Sequence, residues 1–308
     1  MIIKSLIVGL GNIGMNYDYS NRQKYHTHCS AVSNHRYFNL SGAVDISKTQ
    51  RIMFKKKYKK SAYSSFVKAV NIEKPDIIII SIPTLETNKI YKKIIEENMK
   101  FKAIFFEKPV NQKKNVVKKI FNYCLKNNIK IYVNYLRRFD ISSRAVKKIL
   151  IKKQIGEVKK VDIIYKKGFY NSCSHYINYL DYLFPKKKKI IYVRLLNKFF
   201  NDYLINFTLK SDITFNFKVA KNIKINESIK IIGSEGNIEY ITEKGRIRLS
   251  NSNQSNKLIK NNYNKPLKGS YDNIYKTLND KITPENSNID ALDTIDCLNN
   301  IIKKTNSS

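Results

Sequence analysis

The sequence predicts an α/β protein with a doubly wound parallel sheet in its first domain and an α+β second domain. Residues 1–136 alternate short apolar strands with amphipathic helices, the pattern of parallel strands joined by helical crossovers. Residues 137–308 begin with helices and then place strand-like runs one after another, which indicates an open, mostly antiparallel sheet. We therefore expect the domain boundary between residues 136 and 137.

The individual elements follow from apolar runs and helical periodicity. Strands of the first domain are predicted over 2–8, 40–45, 75–83, 103–106 and 130–135, with helices over 46–58, 87–99 and 113–127. The second domain is predicted to contain helices 142–153 and 174–184, a strand over 157–166, and six strands between 190 and 249. Residues 250–268 are polar and predict a surface loop, and helices are expected over 271–279 and 289–303.

Composition excludes several classes of protein. With 42% hydrophobic and 27% charged residues the chain is globular, and no apolar run approaches the ~20 residues that span a bilayer. We expect no signal peptide and no membrane partner. The four cysteines, Cys29, Cys124, Cys173 and Cys297, form no CxxC pair, which favours the cytoplasm and argues against disulfides and a metal site.

The net charge of +34 has a compositional explanation. Lys, Asn, Ile and Tyr are abundant together, as AT-rich codons produce, and the basic residues are spread over the whole chain. We therefore expect no nucleic-acid partner, the minority interpretation of such a charge. A positive field still favours small anionic substrates such as nucleotide sugars.

Gly9-Leu-Gly-Asn-Ile-Gly14 follows the first predicted strand. In this motif the first glycine forms the strand-to-helix turn, the second lets a pyrophosphate approach the backbone, and the third lets helix and strand pack closely. The motif predicts a Rossmann dinucleotide-binding domain in which Gly9, Gly11, Asn12, Ile13 and Gly14 contact the cofactor.

Asp45 ends the second predicted strand and can accept hydrogen bonds from ribose hydroxyls, which favours NAD. NADP stays open, because Lys48 and Arg51 follow and can hold a 2′-phosphate. Asp45 lies further from the glycines than usual, and residues 16–28 are interpreted as an insertion that explains the distance.

Two further strands end in chemically useful residues. Ser81 and Pro83 end the third strand, and Glu107-Lys108-Pro109 ends the fourth. Ligands bind at the carboxyl ends of parallel strands, so Ser81, Pro83 and Glu107 are expected at the cofactor. Lys108 can exchange a proton with a substrate hydroxyl, although a surface Lys-Pro turn is the simpler explanation of these two residues taken alone.

His175 begins an apolar helix after a segment, residues 168–174, of mostly small and polar residues. A histidine in this position can face a cleft, although a lone histidine is more often structural.

Taken together and in order, these motifs resemble those of the Gfo/Idh/MocA oxidoreductases. The resemblance rests on Gly9-x-Gly11-x-x-Gly14, Glu107-Lys108-Pro109, Asn134-Tyr-Leu-Arg-Arg-Phe139 and Gly168-x-x-Asn171-x-x-Ser174-His175-x-x-Asn178. It implies NAD(P)-linked oxidation or reduction of a sugar hydroxyl, in a chain that forms homo-oligomers through its second sheet. It also implies that Lys108 and His175 are catalytic and line the substrate site.

Around His175 the chain departs from the common family pattern at two positions. Asn171 and Asn178 stand where the family often has aspartates, and asparagine cannot carry a proton. The acid–base role is therefore expected to fall on Lys108 and His175, facing each other across a cleft. Substrate contacts are expected from Tyr135, Arg138, Asn171 and Asn178. Similar Asn-x-x-Ser-His segments occur in enzymes resembling those of bacterial surface-glycan synthesis.

Besides the minority interpretation of a basic nucleic-acid binder, two functions therefore compete. The first is a dehydrogenase or reductase acting on a sugar or nucleotide sugar. The alternative is a non-catalytic sensor or scaffold that retains the dinucleotide site but lacks the proton relay at Asn171.

Overall fold

The computed structural model of the chain describes residues 2–20, 25–166, 168–185, 188–199, 202–220, 222, 224–251, 254–260, 265–280, 283–285 and 287–305. The chain divides into two compact units. The first contains Met1–Leu136 and Lys265–Leu292, and the second contains Arg137–Asn264 and Asp293–Ser308.

The strands are β1 (Ile3–Val8), β2 (Phe38–Val44), β3 (Ser61–Tyr63), β4 (Ile77–Ile80), β5 (Ala103–Phe106), β6 (Lys130–Val133), β7 (Val158–Tyr165), β8 (Lys189–Phe199), β9 (Asp202–Lys210), β10 (Thr214–Val219), β11 (Ser228–Gly233), β12 (Gly236–Ile241), β13 (Arg246–Asn251) and β14 (Gln254–Lys260). The helices are α1 (His28–Asn34), α2 (Lys48–Tyr58), α3 (Phe66–Glu73), α4 (Thr87–Glu96), α5 (Lys114–Lys126), α6 (Ile141–Ile151), α7 (Ser174–Leu183), α8 (Pro266–Asn279) and α9 (Asn288–Thr305). In the part of the chain given above, no helix is long and apolar enough to cross a membrane.

The first unit contains a six-stranded parallel sheet with the order β3-β2-β1-β4-β5-β6. The strand order reverses direction between β1 and β4, which creates a crevice at their carboxyl ends. β4 consists of four isoleucines, all buried, as expected for a central strand covered on both faces. The predicted doubly wound sheet is confirmed.

Helix α8 belongs to the first unit although the second unit precedes it in sequence. Its side chains Leu267, Tyr271 and Ile274 share an apolar cluster with residues of β1, β2 and α1. The expected second domain, 137–308, therefore differs from the structure over residues 265–292. The reason is that the apolar face of α8 is buried against the parallel sheet.

The second unit contains an eight-stranded sheet with the order β14-β13-β12-β11-β7-β10-β9-β8. β7 and β10 are parallel, and all other neighbouring strands are antiparallel. Burial alternates along the strands, so that Phe215 and Phe217 of β10 lie in the core while Asn216 is only half-buried. The core also contains residues of α6, α7 and α9. The predicted mostly antiparallel sheet is confirmed.

The predicted loop over residues 250–268 is wrong. β14 pairs antiparallel with β13 in this stretch, and α8 begins at Pro266. β14 is an edge strand, and main-chain hydrogen bonds to a single neighbour can hold such a strand without an apolar pattern. Three further short elements, β3, α1 and α3, were not predicted.

Candidate functional site

Two of the three glycines after β1 are required by the local backbone. Gly9 has a φ of +100°, and a Cβ there would lie 2.6 Å from the carbonyl oxygen of Ser81. A Cβ on Gly14 would collide with the carbonyl oxygen of Gly9. At Gly11, however, an added Cβ would meet nothing within 4 Å. The fold therefore requires glycine at positions 9 and 14, whereas Gly11 leaves space for a ligand.

The same turn has backbone N–H groups available for a ligand. The carbonyl oxygen of Gly11 accepts hydrogen bonds from the N–H groups of Met15 at 2.8 Å and Asn16 at 3.1 Å. The N–H groups of Gly11, Asn12 and Ile13 donate to no acceptor within the described residues, and Gly11 and Asn12 are exposed. Free N–H groups at the start of a helical turn form a favourable site for a phosphate.

The helix expected directly after the glycines is interrupted. The chain leaves it after Tyr17 and returns at His28, whose N–H donates to the carbonyl oxygen of Ile13 at 3.0 Å. Asp18 is 1% exposed and holds the returning chain, because it accepts hydrogen bonds from the N–H of Thr27 at 3.1 Å and from its hydroxyl at 2.7 Å. This excursion lies within the predicted insertion at 16–28.

Asp45 directly follows β2 and connects it to the glycine turn. Its Oδ2 accepts a hydrogen bond from the N–H of Leu10 at 2.7 Å, and its Oδ1 accepts one from the N–H of Ser47 at 2.8 Å. Arg51 Nη1 donates to the carbonyl oxygens of Asp45 at 2.7 Å and Ile46 at 2.8 Å. An ionised carboxylate has about four acceptor positions. Asp45 can therefore hold the turn and still accept hydrogen bonds from a ligand.

A cavity of about 470 Å³ lies at the carboxyl ends of β1, β2 and β4. This volume is within the roughly 300–1,000 Å³ typical of ligand pockets, and the strand order reverses at the same point. Five predicted cofactor-binding residues line the cavity, namely Gly9, Gly11, Asp45, Ser81 and Pro83. Apolar side chains, including Val44 and Phe66, form much of its wall. Gln50 also lines it and was not predicted.

Glu107 and Lys108 follow β5, the strand next to β4. The Glu107 carboxylate accepts hydrogen bonds from His28 Nε2 at 2.9 Å and from Asn134 Nδ2 at 2.5 Å, and its Oε2 accepts one from the N–H of Lys108 at 3.3 Å. Burial raises the pKa of Glu107, but the hydrogen bonds and electrostatic attraction of His28, Lys108 and Asn134 outweigh it and leave the pKa lowered. Glu107 is therefore ionised at neutral pH.

Among the predicted substrate contacts, Arg138 and Asn178 are bonded to each other inside the second unit. Arg138 is 5% exposed, and its Nε donates to Asn178 Oδ1 at 2.8 Å. The Asn178 amide also donates to the hydroxyl of Thr294 at 3.2 Å. In the first unit Tyr135 is also buried, at 1% exposure.

Asn171 and His175 lie close together in sequence at the start of α7. A π-helical turn, Phe169–Cys173, leads into the helix and follows Gly168, which has a φ of 106°. Asn171 is exposed on this turn, and His175 is half-buried. Both residues are therefore more accessible than the fully buried Asn178.

Arg137, which was not predicted as a site residue, is more accessible than Arg138. Its side chain is 17% exposed, and its guanidinium lies 4.1 Å from the centre of the Tyr176 ring. Glu227 Oε2 is 3.4 Å from Arg137 Nη2, and Glu227 Oε1 accepts a 2.5 Å hydrogen bond from the hydroxyl of Ser172 in the π-helical turn. The sequence Asn134-Tyr-Leu-Arg-Arg-Phe139 does not indicate which of its two adjacent arginines is buried.

Residues 3–135 match the family GFO_IDH_MocA, described as "Oxidoreductase family, NAD-binding Rossmann fold". The matched range includes the glycine turn, Asp45 and Glu107-Lys108-Pro109. These residues therefore form the NAD-binding domain of an oxidoreductase. Over residues 3–135 the predicted resemblance to the Gfo/Idh/MocA oxidoreductases is confirmed.

Several solved structures share the fold of almost the whole chain. An oxidoreductase from Agrobacterium radiobacter in complex with NAD+, L-tartaric acid and magnesium is 12% identical, with 97% of this chain and 95% of that chain covered and a TM-score of 0.80. The WlbA dehydrogenase from Bordetella pertussis in complex with NADH and UDP-GlcNAcA is 15% identical, with coverage of 99% and 96% and a TM-score of 0.79.

A mutant of KijD10, a 3-ketoreductase from Actinomadura kijaniata in complex with TDP-benzene and NADP, is 9% identical, with coverage of 97% and 96% and a TM-score of 0.82. No curated protein matches the chain significantly in sequence. At these low identities the solved structures establish the fold alone.

Proposed function

We propose that the protein is an NAD(P)-dependent dehydrogenase or reductase that transfers a hydride to or from a hydroxyl-bearing or keto carbon of a sugar derivative. The main support is the glycine turn, which is open only at Gly11 and borders a cavity at the reversal of strand order. The nucleotide-linked ligands of the Bordetella and Actinomadura proteins favour a sugar or nucleotide-sugar substrate. A role in bacterial surface-glycan synthesis is part of this proposal.

The residues of the cavity fit a dinucleotide. Val44 and Phe66 provide apolar surface for an adenine ring, and Asp45 can accept hydrogen bonds from ribose hydroxyls. The N–H groups of Gly11 and Asn12 can donate to a pyrophosphate. When bound, the nicotinamide cofactor supplies the hydride acceptor or donor.

NAD is the proposed cofactor, with NADP as the alternative. The negative charge of Asp45 at the ribose position disfavours a 2′-phosphate. Arg51 uses Nη1 to bind two main-chain carbonyls, so this nitrogen is already occupied. Lys48 is exposed at the start of α2 and is the residue that could support NADP.

Lys108 is the proposed acid–base residue of the first unit. Its Nζ can donate a proton to an alkoxide during reduction or accept one from a hydroxyl during oxidation. His175 is the proposed acid–base residue of the second unit, on the basis of the family resemblance. Asn171 cannot carry a proton, so the proposed proton transfer involves only Lys108 and His175.

Arg137 is a better candidate than Arg138 for contact with an anionic substrate. Its side chain is 17% exposed, and its Nε is buried with no hydrogen-bond partner among the described residues. Arg138 and Asn178 instead stabilise the second unit, since each is buried and bonded. Asn171 is exposed and remains a proposed substrate contact. Tyr135, at 1% exposure, is buried like Arg138 and is no longer proposed as one.

We also propose a homo-oligomer formed through the second sheet. Four large apolar residues of β8 are exposed, namely Ile191, Tyr192, Leu195 and Leu196. Exposed apolar groups of this kind often mark an interface. Size-exclusion chromatography with light scattering would test the oligomeric state.

A cytoplasmic location is proposed from the cysteines, because all four are free thiols.

The proposed function can be tested in two steps. Fluorescence titration should first show binding of NADH, with NADPH measured in parallel. Turnover should then be followed through the absorbance of NADH with a panel of sugars, sugar acids and nucleotide sugars. Lys108→Ala is the control, because it should lose turnover while its unfolding temperature is retained. No cofactor binding would refute the proposal, and binding without turnover on any substrate would favour the sensor or scaffold.

A further inference from the structure

A chain of buried polar side chains lies behind Glu107. His28 connects Glu107 to Tyr271, because its Nε2 is 2.9 Å from Glu107 Oε1 and its Nδ1 is 2.9 Å from the Tyr271 hydroxyl. Asn134 donates to the same carboxylate and its Oδ1 accepts a 3.3 Å hydrogen bond from the hydroxyl of Ser270. His28 and Tyr271 are 0% exposed, and Asn134 is 1% exposed.

The chain joins residues that are far apart in sequence. His28 is 79 positions from Glu107 and 243 positions from Tyr271. Four elements of the first unit meet here, since His28 begins α1, Glu107 follows β5, Asn134 follows β6 and Tyr271 lies in α8. Apolar packing alone would not require so many polar groups, and burying a charged carboxylate is costly unless it is hydrogen-bonded.

The hydrogen-bond directions follow from Glu107. An ionised carboxylate can only accept, so the Nε2 of His28 carries a hydrogen and donates it. The Nδ1 of His28 is the other end of the ring and shares a hydrogen bond with the Tyr271 hydroxyl. Burial raises the pKa of Tyr271 well above its usual range, so this hydroxyl stays protonated and can donate. Tyr271 therefore orients the His28 ring, and His28 orients the carboxylate.

Lys108 depends on this carboxylate in two ways. The N–H of Lys108 donates to Glu107 Oε2 at 3.3 Å, which ties the backbone of Lys108 to the side chain before it. The negative charge of Glu107 and the positive charge of Lys108 also attract each other. A carboxylate that moved would change both the position and the electrostatic environment of the Lys108 amine.

We propose that His28 and Tyr271 are positioning residues that act on Lys108 through the Glu107 carboxylate. The role of Lys108 in catalysis rests on the proposed function, but its dependence on His28 can be measured without cofactor or substrate. Helix α8 thus completes the catalytic end of the parallel sheet from a distant part of the sequence.

The test measures the reactivity of Lys108 in the full chain. A short pulse of an acetylating reagent at neutral pH is followed by peptide mass spectrometry, and the rate at Lys108 is divided by that at Lys153. Lys153 is a suitable internal reference because its side chain is 74% exposed and lies in the second unit. Unfolding temperatures of all variants are measured in parallel.

His28→Ala should raise the relative rate at Lys108 by about threefold to tenfold. A Glu107 carboxylate that is no longer held in place stabilises the charged amine of Lys108 less, and a one-unit fall in an amine's pKa increases its reactive fraction about tenfold. Glu107→Gln should have the same effect, and adding His28→Ala to Glu107→Gln should cause no further change. His28→Gln retains a donor and should restore much of the wild-type rate. Tyr271→Phe removes only the hydroxyl and should give a smaller increase.

Tyr132→Phe is the matched control, because it also removes a buried hydroxyl that bonds α8, at Thr277, but does not contact Glu107. It should leave the relative rate at Lys108 unchanged. The proposal is overturned if His28→Ala or Glu107→Gln leaves the rate unchanged, if their effects add, or if Tyr132→Phe has the same effect. If His28→Ala does not fold, Tyr271→Phe decides, and an unchanged rate in that variant overturns the proposal. The labelling is measured without cofactor or substrate, so a failure of the proposed function would leave this result unchanged.

Discussion

Gly14→Ala should destabilise the fold, whereas Gly11→Ala should weaken ligand binding and leave the stability nearly unchanged. At Gly14 the new Cβ would collide with the carbonyl oxygen of Gly9, a backbone atom that cannot move without shifting the turn. Such overpacking costs roughly 1–3 kcal/mol. At Gly11 the Cβ meets nothing within 4 Å, so the free energy of unfolding should change by less than about 0.5 kcal/mol.

The effect of Gly11→Ala should instead be seen in the binding of NADH. The methyl group of Gly11→Ala would occupy the space through which a pyrophosphate reaches the N–H groups of the turn. Each lost hydrogen bond to a charged group is worth about 1.5–3 kcal/mol, and 1.4 kcal/mol corresponds to tenfold in affinity. Gly11→Ala should therefore weaken NADH binding at least about tenfold, and the bulkier Gly11→Val should abolish it.

Thermal unfolding without nucleotide and fluorescence titration with NADH measure the two effects. The Gly14→Ala variant should unfold lower by roughly 2–12 °C, taking about 2–4 °C per kcal/mol for a domain of this size. The Gly11 variants should unfold near the wild-type temperature. Wild-type NADH affinity in Gly11→Val would refute the assignment of the pyrophosphate site, and a large loss of stability in Gly11→Ala would refute the argument from space.

Three further predictions concern single side chains. Asp45→Asn should reduce the preference for NAD over NADP by about tenfold, since a hydrogen bond to a charged acceptor is worth roughly 1.5–3 kcal/mol. Parallel titrations with the two cofactors test this, and an unchanged ratio of their affinities would assign selectivity to Lys48. Glu107 has a lowered pKa, so its ionised form stabilises the fold above about pH 4.5 and this contribution is lost as acid protonates it. Urea unfolding should therefore show Glu107→Gln less stable than wild type near pH 7 and the difference shrinking below about pH 4.5, whereas a constant difference would contradict this. His175→Ala should lower turnover roughly 10²–10⁴-fold with NADH affinity unchanged, and a fall in unfolding temperature without a loss of turnover would make His175 structural.

The local sequence was sufficient to predict the class of fold and five of the residues that line the cavity. Four consecutive isoleucines in Ile77–Ile80 favour a fully buried strand, and Gly9-x-Gly11-x-x-Gly14 directly after the apolar strand Ile3–Val8 is typical of a dinucleotide turn. These signals are local because burial on both faces and unusual φ values limit which residue types fit. Glu107-Lys108-Pro109 was informative for the same reason, since it directly follows a buried strand.

The adjacent arginines show where local sequence stops being informative. Arg137 and Arg138 are identical in type, yet one stacks on Tyr176 and stays partly exposed while the other is buried against Asn178. Nothing in a stretch of neighbouring residues distinguishes them, because the direction of each side chain depends on the packing of α7. The edge strand β14 was missed for a related reason, since its main-chain hydrogen bonds to β13 leave no mark in its own composition.

The sequence alone thus determined the parallel sheet of the first unit and most of its elements, though not β3, α1 and α3, because hydrophobic periodicity reports directly whether a residue is buried. Only the tertiary structure decided that α8 belongs to that unit and that His28, Glu107 and Tyr271 form one hydrogen-bonded chain. It also showed that Gly11, unlike Gly14, is not required by the backbone. Contacts of this kind depend on how distant elements pack, and the apolar face of α8 is compatible with any apolar partner until the sheet provides one.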